Sequence, residues 1–324
     1  MKPIYLSAVG YAQPENLLSD WDGMPKPAVS FPVPTQHTAL KLDYLRETKN
    51  SDPFQVVPGL AETPTSLAER ASRAALARAG ISAEELGLIF GAGSTPLETT
   101  PVESQRVGKA LQVKIPAFDV NAGGADLALH LETLSAWKSE KVPQYTLSVS
   151  SHISTSRLPF EEGTECCFLF GDAAGVAVVG KERGRYRVDA AVARIFPSLA
   201  QRFTIDLYGF LRFDSSIEEE VFIPQLQKLV SDCRTLISGD AIYLESQLTP
   251  PSHLKLREAL KGPSWRSFWS ETGNTLGAAP ALSLARLEEE AQLQGKDSVD
   301  AEQIVLLQCG VGLSVGVVVL SREE

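Results

Sequence analysis

Phe118-Asp119-Val120-Asn121-Ala122-Gly123-Gly124-Ala125-Asp126-Leu127 is the stretch on which the fold turns. Its first part reads as a buried strand and its last part opens a helix, with Gly124 at the bend. Outward from it, strands and helices alternate. A first strand, Ile4 to Val9, precedes an irregular stretch to about Glu62 that is rich in Pro and Trp. Thr65-Ser66-Leu67-Ala68-Glu69-Arg70 opens a helix through Ala79, with Ser66 and Glu69 spaced as a capping box and Gly80 as the stop. Leu86 to Phe90 is a short strand ending in Gly91-Ala92-Gly93-Ser94. A helix from about Val102 to Leu111, the strand Ala117 to Asn121 and a helix from about Ala125 to Ser139 follow. Tyr145 to Ser150 and Glu165 to Val179 supply two apolar strands, the second interrupted by Gly171-Asp172-Ala173-Ala174-Gly175.

The order then repeats in outline. Tyr186 to Ile195 is again a strand, helix Ile217 to Leu236 precedes the strand Ala241 to Leu244, and helix Ala278 to Leu293 precedes the strands Ile304 to Cys309 and Ser314 to Leu320. The terminal string LLQCGVGLSVGVVVL echoes CFLFGDAAGVAVVG: an apolar strand, a glycine-rich turn, a Val-rich strand. Such continuous apolar runs belong to strands covered on both faces. The reading is an α/β protein of two duplicated halves, 1–181 and 182–324, whose sheets pack around shared central helices.

Composition bounds the function. With 324 residues, 44% of them hydrophobic, the chain can bury a large core. A formal net charge of −10 without a local basic patch argues against nucleic acid or an anionic membrane as partner. Lys181-Glu182-Arg183-Gly184-Arg185 reads as a solvated turn. Cys166, Cys167, Cys233 and Cys309 sit in apolar runs without metal-ligand spacing, and adjacent Cys166 and Cys167 are expected on opposite faces of a strand. Reduced, buried thiols in a cytoplasmic protein are the expectation, with no metal and no cofactor. The start Met1-Lys2-Pro3-Ile4-Tyr5-Leu6 lacks the apolar core of a signal peptide, and no apolar run is long enough to span a membrane.

Four segments in register resemble the β-ketoacyl-acyl-carrier-protein synthase III branch of the thiolase superfamily. They are Gly91-Ala92-Gly93-Ser94-Thr95-Pro96 with Thr100-Pro101; Phe118-Asp119-Val120; Leu169-Phe170-Gly171-Asp172-Ala173-Ala174-Gly175; and Gly273-Asn274-Thr275. The resemblance spans most of the chain outside about 12–62 and 197–216. It implies a thiolase-like five-layer αβαβα fold, usually dimeric, with the helix of the nucleophile near the subunit interface. It also implies a cysteine thiolate activated at a helix N-terminus, with a histidine and an asparagine stabilising an enolate.

Carried over position by position, the cysteine falls on Gly124, and the histidine falls on Glu245 or Ser246, in Glu245-Ser246-Gln247 after a strand. Asn274 alone keeps the family identity. Asn121 and Asp126, the nearest alternatives to a nucleophile, are poor ones for a thioester. The family's coenzyme A segment is unmatched at Ser19-Asp20-Trp21-Asp22-Gly23-Met24. Four histidines remain. His253, in Pro250-Pro251-Ser252-His253 at a helix start, reaches the site only if the loop is rebuilt; His152 reads as a surface or interface residue; His37 and His130 have no supporting context. Gly171, Asp172 and Gly175 read as a structural turn, and Asn274 equally as a turn residue or a functional one. The aromatic string Phe203 to Asp214 reads as pocket lining or partner surface.

Three functions follow from these residues. The first is a non-catalytic subunit that pairs with an active, cysteine-bearing ketosynthase, with an acyl carrier protein as a further partner. The second is a direct acyltransferase using His152, His253 or Glu245 as base, with Asn274 and the amides of residues 124 and 125 as oxyanion site. The third is a protein that holds an acyl chain or acyl carrier without turnover.

Overall fold

The computed structural model describes residues 3–14, 17–19, 36–38, 62–96, 99–159, 166, 169–262, 264–296 and 299–323. Asp20 to Met24, Cys167 and the side chain of His37 lie outside the described residues.

Ten strands form one sheet and fall into two sets of five. The first set is β1 (Tyr5–Ala12), β2 (Leu86–Ala92), β3 (Ala117–Asp119), β4 (Tyr145–His152) and β5 (Ala173–Gly180). The second is β6 (Tyr186–Ile195), β7 (Ile242–Leu244), β8 (Ser264–Arg266), β9 (Gln303–Gly310) and β10 (Ser314–Arg322). Their order is β3-β2-β4-β5-β1-β6-β10-β9-β7-β8. In the first set β1, β5 and β4 run antiparallel in turn, and β4, β2 and β3 run parallel. In the second set β6, β10 and β9 run antiparallel, and β9, β7 and β8 run parallel. The sets meet where Tyr5 pairs with Arg187 and Leu6 with Tyr186. The repeat seen in two glycine-rich strand pairs therefore extends to order and direction across the whole sheet.

The helices of eight or more residues are α1 (Pro64–Ala79), α2 (Glu103–Ala110), α3 (Asp126–Ala136), α4 (Ile223–Asp232), α5 (Pro250–Leu260) and α6 (Ala279–Leu293). Layering follows from which side of each strand packs where. Ala177 and Val179 of β5, with Leu306 of β9 and Val318 of β10, join Leu127, Leu131 and Leu134 of α3 and Leu284 of α6 in a middle core. The alternate residues Val176 and Val178 pack with α1 and α2 on one outer side. Val305, Leu307, Val317 and Val319 pack with α4 on the other. Strands covered on both faces are apolar at nearly every position, which is why β5, β9 and β10 show no polar alternation, Gln308 of β9 being a buried exception. Five layers result, with α3 and α6 in the middle.

Several elements differ from the reading of the sequence. The capping box of α1 pairs Thr63 with Ser66, because Pro64 takes the first helical position; Gly80 closes the helix at φ 68° as expected. Glu69 instead bonds Arg73 one turn on. Cys166 lies in a helical turn and β5 starts only at Ala173, so residues 165–179 are not one strand. α5 begins at Pro250, at the helix start read from Pro250-Pro251-Ser252-His253, whereas β8 is not read from the sequence, since a three-residue strand has no period to detect. β3 is a half-exposed edge strand: Phe118 is 41% exposed and packs edge-on against Phe90 at 5.1 Å.

The aspartate of β3 has a structural task. Asp119 Oδ1 accepts the amide of Ser104 at 3.0 Å and Oδ2 that of Glu103 at 3.2 Å, capping α2 from outside the helix. A Cβ at Gly91 would lie 2.3 Å from Asp119 Oδ1, so glycine is needed there for the carboxylate to reach. Asp119→Ala is expected to lower stability by about 1–2 kcal/mol, with Asp119→Asn retaining most of it because an amide oxygen still accepts. Urea denaturation midpoints of the two variants test this.

Candidate functional site

The bend after β3 is built from local hydrogen bonds. Asn121 Oδ1 accepts the Gly123 amide at 2.7 Å, while its Nδ2 donates to Gly93 O at 2.9 Å. Asp126 Oδ1 accepts the Ala122 amide at 2.7 Å. Gly123 sits at φ 69°, where a side chain is strained.

Gly124 stands at the start of α3, where the elbow was expected, and it faces backbone. A Cβ built on it would lie 2.4 Å from Cys309 O and 2.5 Å from Gly310 Cα. From the other side, a Cβ on Gly310 would lie 2.7 Å from Gly124 Cα. The end of β9 thus rests directly on the elbow, in space that any side chain at 124 would need.

Gln247 locks this contact. Its Nε2 donates to Cys309 O at 2.6 Å and Leu276 O at 2.8 Å, with Gly124 O at 3.2 Å, and its Oε1 accepts the Cys309 amide at 3.0 Å. One buried amide, 2% exposed, ties α3, β9 and the turn after Asn274 together. In the sequence it is one polar residue in a loop, and its importance depends on three segments that only the fold brings to it.

The positions carried over for histidine have structural partners of their own. Ser246 Oγ accepts the Phe268 amide at 2.9 Å and a hydrogen bond from Ser283 Oγ at 2.8 Å. Glu245 Oε1 accepts the amides of Gln247 at 2.5 Å and Leu248 at 2.8 Å. Its Oε2 lies 3.1 Å from His253 Nδ1, so the structure brings His253 to Glu245. Asn274 Oδ1 accepts the amide of Leu276 at 2.8 Å and its Nδ2 donates to Gln247 O at 2.7 Å. Its backbone joins the Leu169–Gly171 turn through Asn274 N to Leu169 O at 2.7 Å and Gly171 N to Asn274 O at 3.1 Å. The side-chain bond two residues on is the turn role read from the sequence.

His152 is not a surface residue within this chain. It is fully buried at the end of β4, where Nδ1 accepts the Ser94 amide at 3.3 Å and Nε2 points at Asp126 Oδ2 from 3.6 Å. Gly277 makes room for the pair, since a Cβ there would lie 1.9 Å from Asp126 Oδ2. Burial pushes the Asp126 carboxyl up, but His152, His130 and the Ala122 amide outweigh it and hold the group below its ordinary value. An anion therefore occupies the positive end of α3. His130 is a packing residue: buried, its Nε2 bonds Val120 O and its Nδ1 bonds Ser148 Oγ, each at 2.7 Å, a pattern one neutral tautomer satisfies. Burial keeps its pKa low.

Asp172 serves its turn, accepting the Thr155 amide at 2.9 Å and the Thr155 hydroxyl at 2.5 Å. A Cβ at Gly175 would lie 2.3 Å from Ala278 O, which makes that glycine a close-approach position. The aromatic string 203–214 divides. Phe203 and Phe213 pack on Phe170 at the base of a hairpin, whereas Leu207 and Tyr208 at its tip are 97% and 75% exposed. Cys166, Cys233 and Cys309 are buried, and burial with the nearby Glu245 and Glu218 charges pushes the Cys309 thiol well up. Among the described residues no group of three or more His, Cys, Asp or Glu could hold a metal ion, and no helix is long and apolar enough to cross a membrane.

Gln247→Leu would leave three buried carbonyls and one amide without their partner. It is expected to cost about 3 kcal/mol or more, given about 1–3 kcal/mol for each buried group left unmatched. An unchanged denaturation midpoint would show that the amide holds nothing.

No protein-family model matches the chain. Among curated relatives, a β-ketoacyl-acyl-carrier-protein synthase III of Aquifex aeolicus is 26% identical over 269 residues, which is 80% of this chain and 84% of that one. The crystal structure of a 3-oxoacyl-acyl-carrier-protein synthase III from Aquifex aeolicus superposes with TM-score 0.80 at 22% identity, covering 98% of this chain and 99% of that one. A type III pentaketide synthase of Neurospora crassa superposes with TM-score 0.74 at 16% identity, covering 99% and 100%. With the four segments in register and the repeated strand order, the chain has a thiolase-like fold and is similar over four fifths of its length to a β-ketoacyl-acyl-carrier-protein synthase III.

Proposed function

We propose that the chain is a non-catalytic ketosynthase III-like subunit that pairs with a cysteine-bearing paralogue in fatty-acid-like, polyketide or alkylquinolone-type synthesis. The observation that carries this reading is the contact at Gly124, where Cys309 O lies 2.4 Å from the position of a Cβ. A subunit retaining a working pocket would need only a lost sulfur; here the space for it is closed by backbone. Two further features point the same way. The anionic Asp126 sits where a helix end would otherwise lower a thiol pKa, so a thiolate at this bend would meet negative charge. Asn274 donates to Gln247 O, not toward the elbow. In this reading the chain contributes dimer surface and shape, and an acyl carrier protein docks on the assembly.

The test is co-expression with a paralogue that keeps cysteine and histidine, followed by native mass spectrometry and intact-mass analysis after incubation with acyl and malonyl thioesters. A hetero-oligomer is expected, with the acyl adduct on the paralogue alone. A symmetric homodimer that condenses the thioesters unaided would overturn the proposal. Gly124→Cys is expected to gain no acyl adduct and to lose about 1–3 kcal/mol of stability from overpacking.

One contact favours a second reading, acyl transfer from a thioester directly to a hydroxyl or amine. His253 Nδ1 against Glu245 Oε2 at 3.1 Å is the arrangement that orients an imidazole as a base. Transfer to small acceptors that is lost in Asn274→Ala would support it; absence of transfer, or activity unchanged in that variant, would reject it.

A further inference from the structure

At the outer edge of the second half, between α6 and the end of the sheet, the described residues enclose a cavity of about 250 Å³. β8 is the last strand there and, among the described residues, pairs only with β7. Leu287, Glu290 and Ala291 line the cavity from α6, and their i, i+3, i+4 spacing puts them on one stripe of the helix. The sheet contributes Ile242 of β7 and Arg266 of β8, and the segment after α6 adds Lys296, Val299 and Asp300. Leu287, Ala291 and Val299 are buried and Ile242 is half-buried, so the floor is apolar. Arg266, Glu290, Lys296 and Asp300 keep their charged ends partly open to solvent.

The rim offers both signs of charge, and neither is tightly held. Arg266 Nε stands 3.9 Å from Glu290 Oε2, beyond hydrogen-bond reach. Among the described residues the guanidinium hydrogen-bonds only the preceding carbonyl, Trp265 O, at 3.3 Å. Lys296 Nζ and Asp300 Oδ2 pair at 3.2 Å on the surface, where such a pair contributes little and exchanges readily. The end of α6 adds partial negative charge. An alkyl carboxylate would match Arg266 and Lys296 but would face Glu290, Asp300 and the helix end. An alkylamine would meet the converse problem at Arg266 and Lys296. A zwitterion with an apolar side chain matches the floor and both signs of the rim.

We propose that this cavity binds a free α-amino acid with an apolar side chain. Its carboxylate meets Arg266, its ammonium meets Glu290 and the end of α6, and its side chain lies over Ile242, Leu287, Ala291 and Val299. The loose 3.9 Å pair of Arg266 and Glu290 is thereby replaced by two charge-assisted contacts, one to each end of the ligand. Size agrees with this class. Clefts for drug-sized ligands run to about 300–1,000 Å³. A cavity of about 250 Å³ suits a smaller molecule. The site shares no residue with the elbow at Gly124 and stands whether or not the chain pairs with a paralogue.

Calorimetric titration of the full chain with L-leucine and with L-phenylalanine tests the site. Saturable binding of at least one, with Kd at or below about 1 mM, is expected. The amide of the bound amino acid lacks the carboxylate, its N-acetyl form lacks the ammonium, and glycine lacks the side chain. Each is expected to bind at least about tenfold more weakly, as is the amino acid itself to Arg266→Gln, a surface change. Hydrogen–deuterium exchange of the wild type locates the site without a variant: added amino acid should slow exchange in 264–266 and 287–296 and leave α3 and β9 unchanged. Failure of both amino acids to bind with Kd at or below about 1 mM would overturn the proposal. So would equal affinity for the amide or the N-acetyl form, unchanged affinity in Arg266→Gln, or protection confined to other segments.

Discussion

One buried side-chain amide, that of Gln247, gathers four backbone groups at the elbow, three from the second half and one, Gly124 O, from the first. Gly124 O, Leu276 O and both polar atoms of Cys309 converge on Gln247, and the glycines at 124 and 310 let the backbones of α3 and β9 touch. Each part requires the others. Without glycine at 124 the end of β9 could not approach, and without that approach the glutamine would be a buried amide with unmatched hydrogen-bonding groups, which is costly. The same contact that removes room for a nucleophile therefore also supplies packing between the halves.

Charge is arranged around this centre in two separate groups. On the side of the first half, Asp126 faces His152 and takes the positive end of α3. On the side of the second, Glu245 faces His253 beside Glu218. Each of these two histidines lies beside one carboxylate, and the carboxylates also bond backbone amides at the bends they support, one at Asp126 and two at Glu245. Carboxylates that accept several amides are fixed in place and support the turn they bond. Both groups thus hold the bends at the start of α3 and after β7.

Much of the fold was legible in the chain because burial on both faces leaves a plain mark. The continuous apolar runs of β5, β9 and β10, each next to a glycine-rich turn, announced the duplication, and the strand order repeats as those runs suggested. The sequence also places Gly124 at the bend before α3, where it stands, while the position carried over for histidine stays open by one residue, Glu245 or Ser246. What was not readable depends on residues far apart in sequence. His152 looked exposed because nothing near it is apolar enough to bury it; Asp126, from another element, accounts for its burial. Gln247 gave no signal, because a loop glutamine acquires value only from the carbonyls that tertiary structure brings to it. The capping residue of α1 lies three positions before the one the sequence suggests, because Thr63 and Ser66 satisfy the same capping rule as the spacing of Ser66 and Glu69.

The closure of the elbow can be measured directly by following the side-chain amide protons of Gln247 in isotopically glutamine-labelled protein, assigned by their loss in Gln247→Leu. If the amide bridges Cys309, Leu276 and Gly124, both protons exchange with solvent far more slowly than those of a surface glutamine. Exchange at the rate of a free side chain would mean that the elbow is open, and the non-catalytic reading would then lose its main physical support.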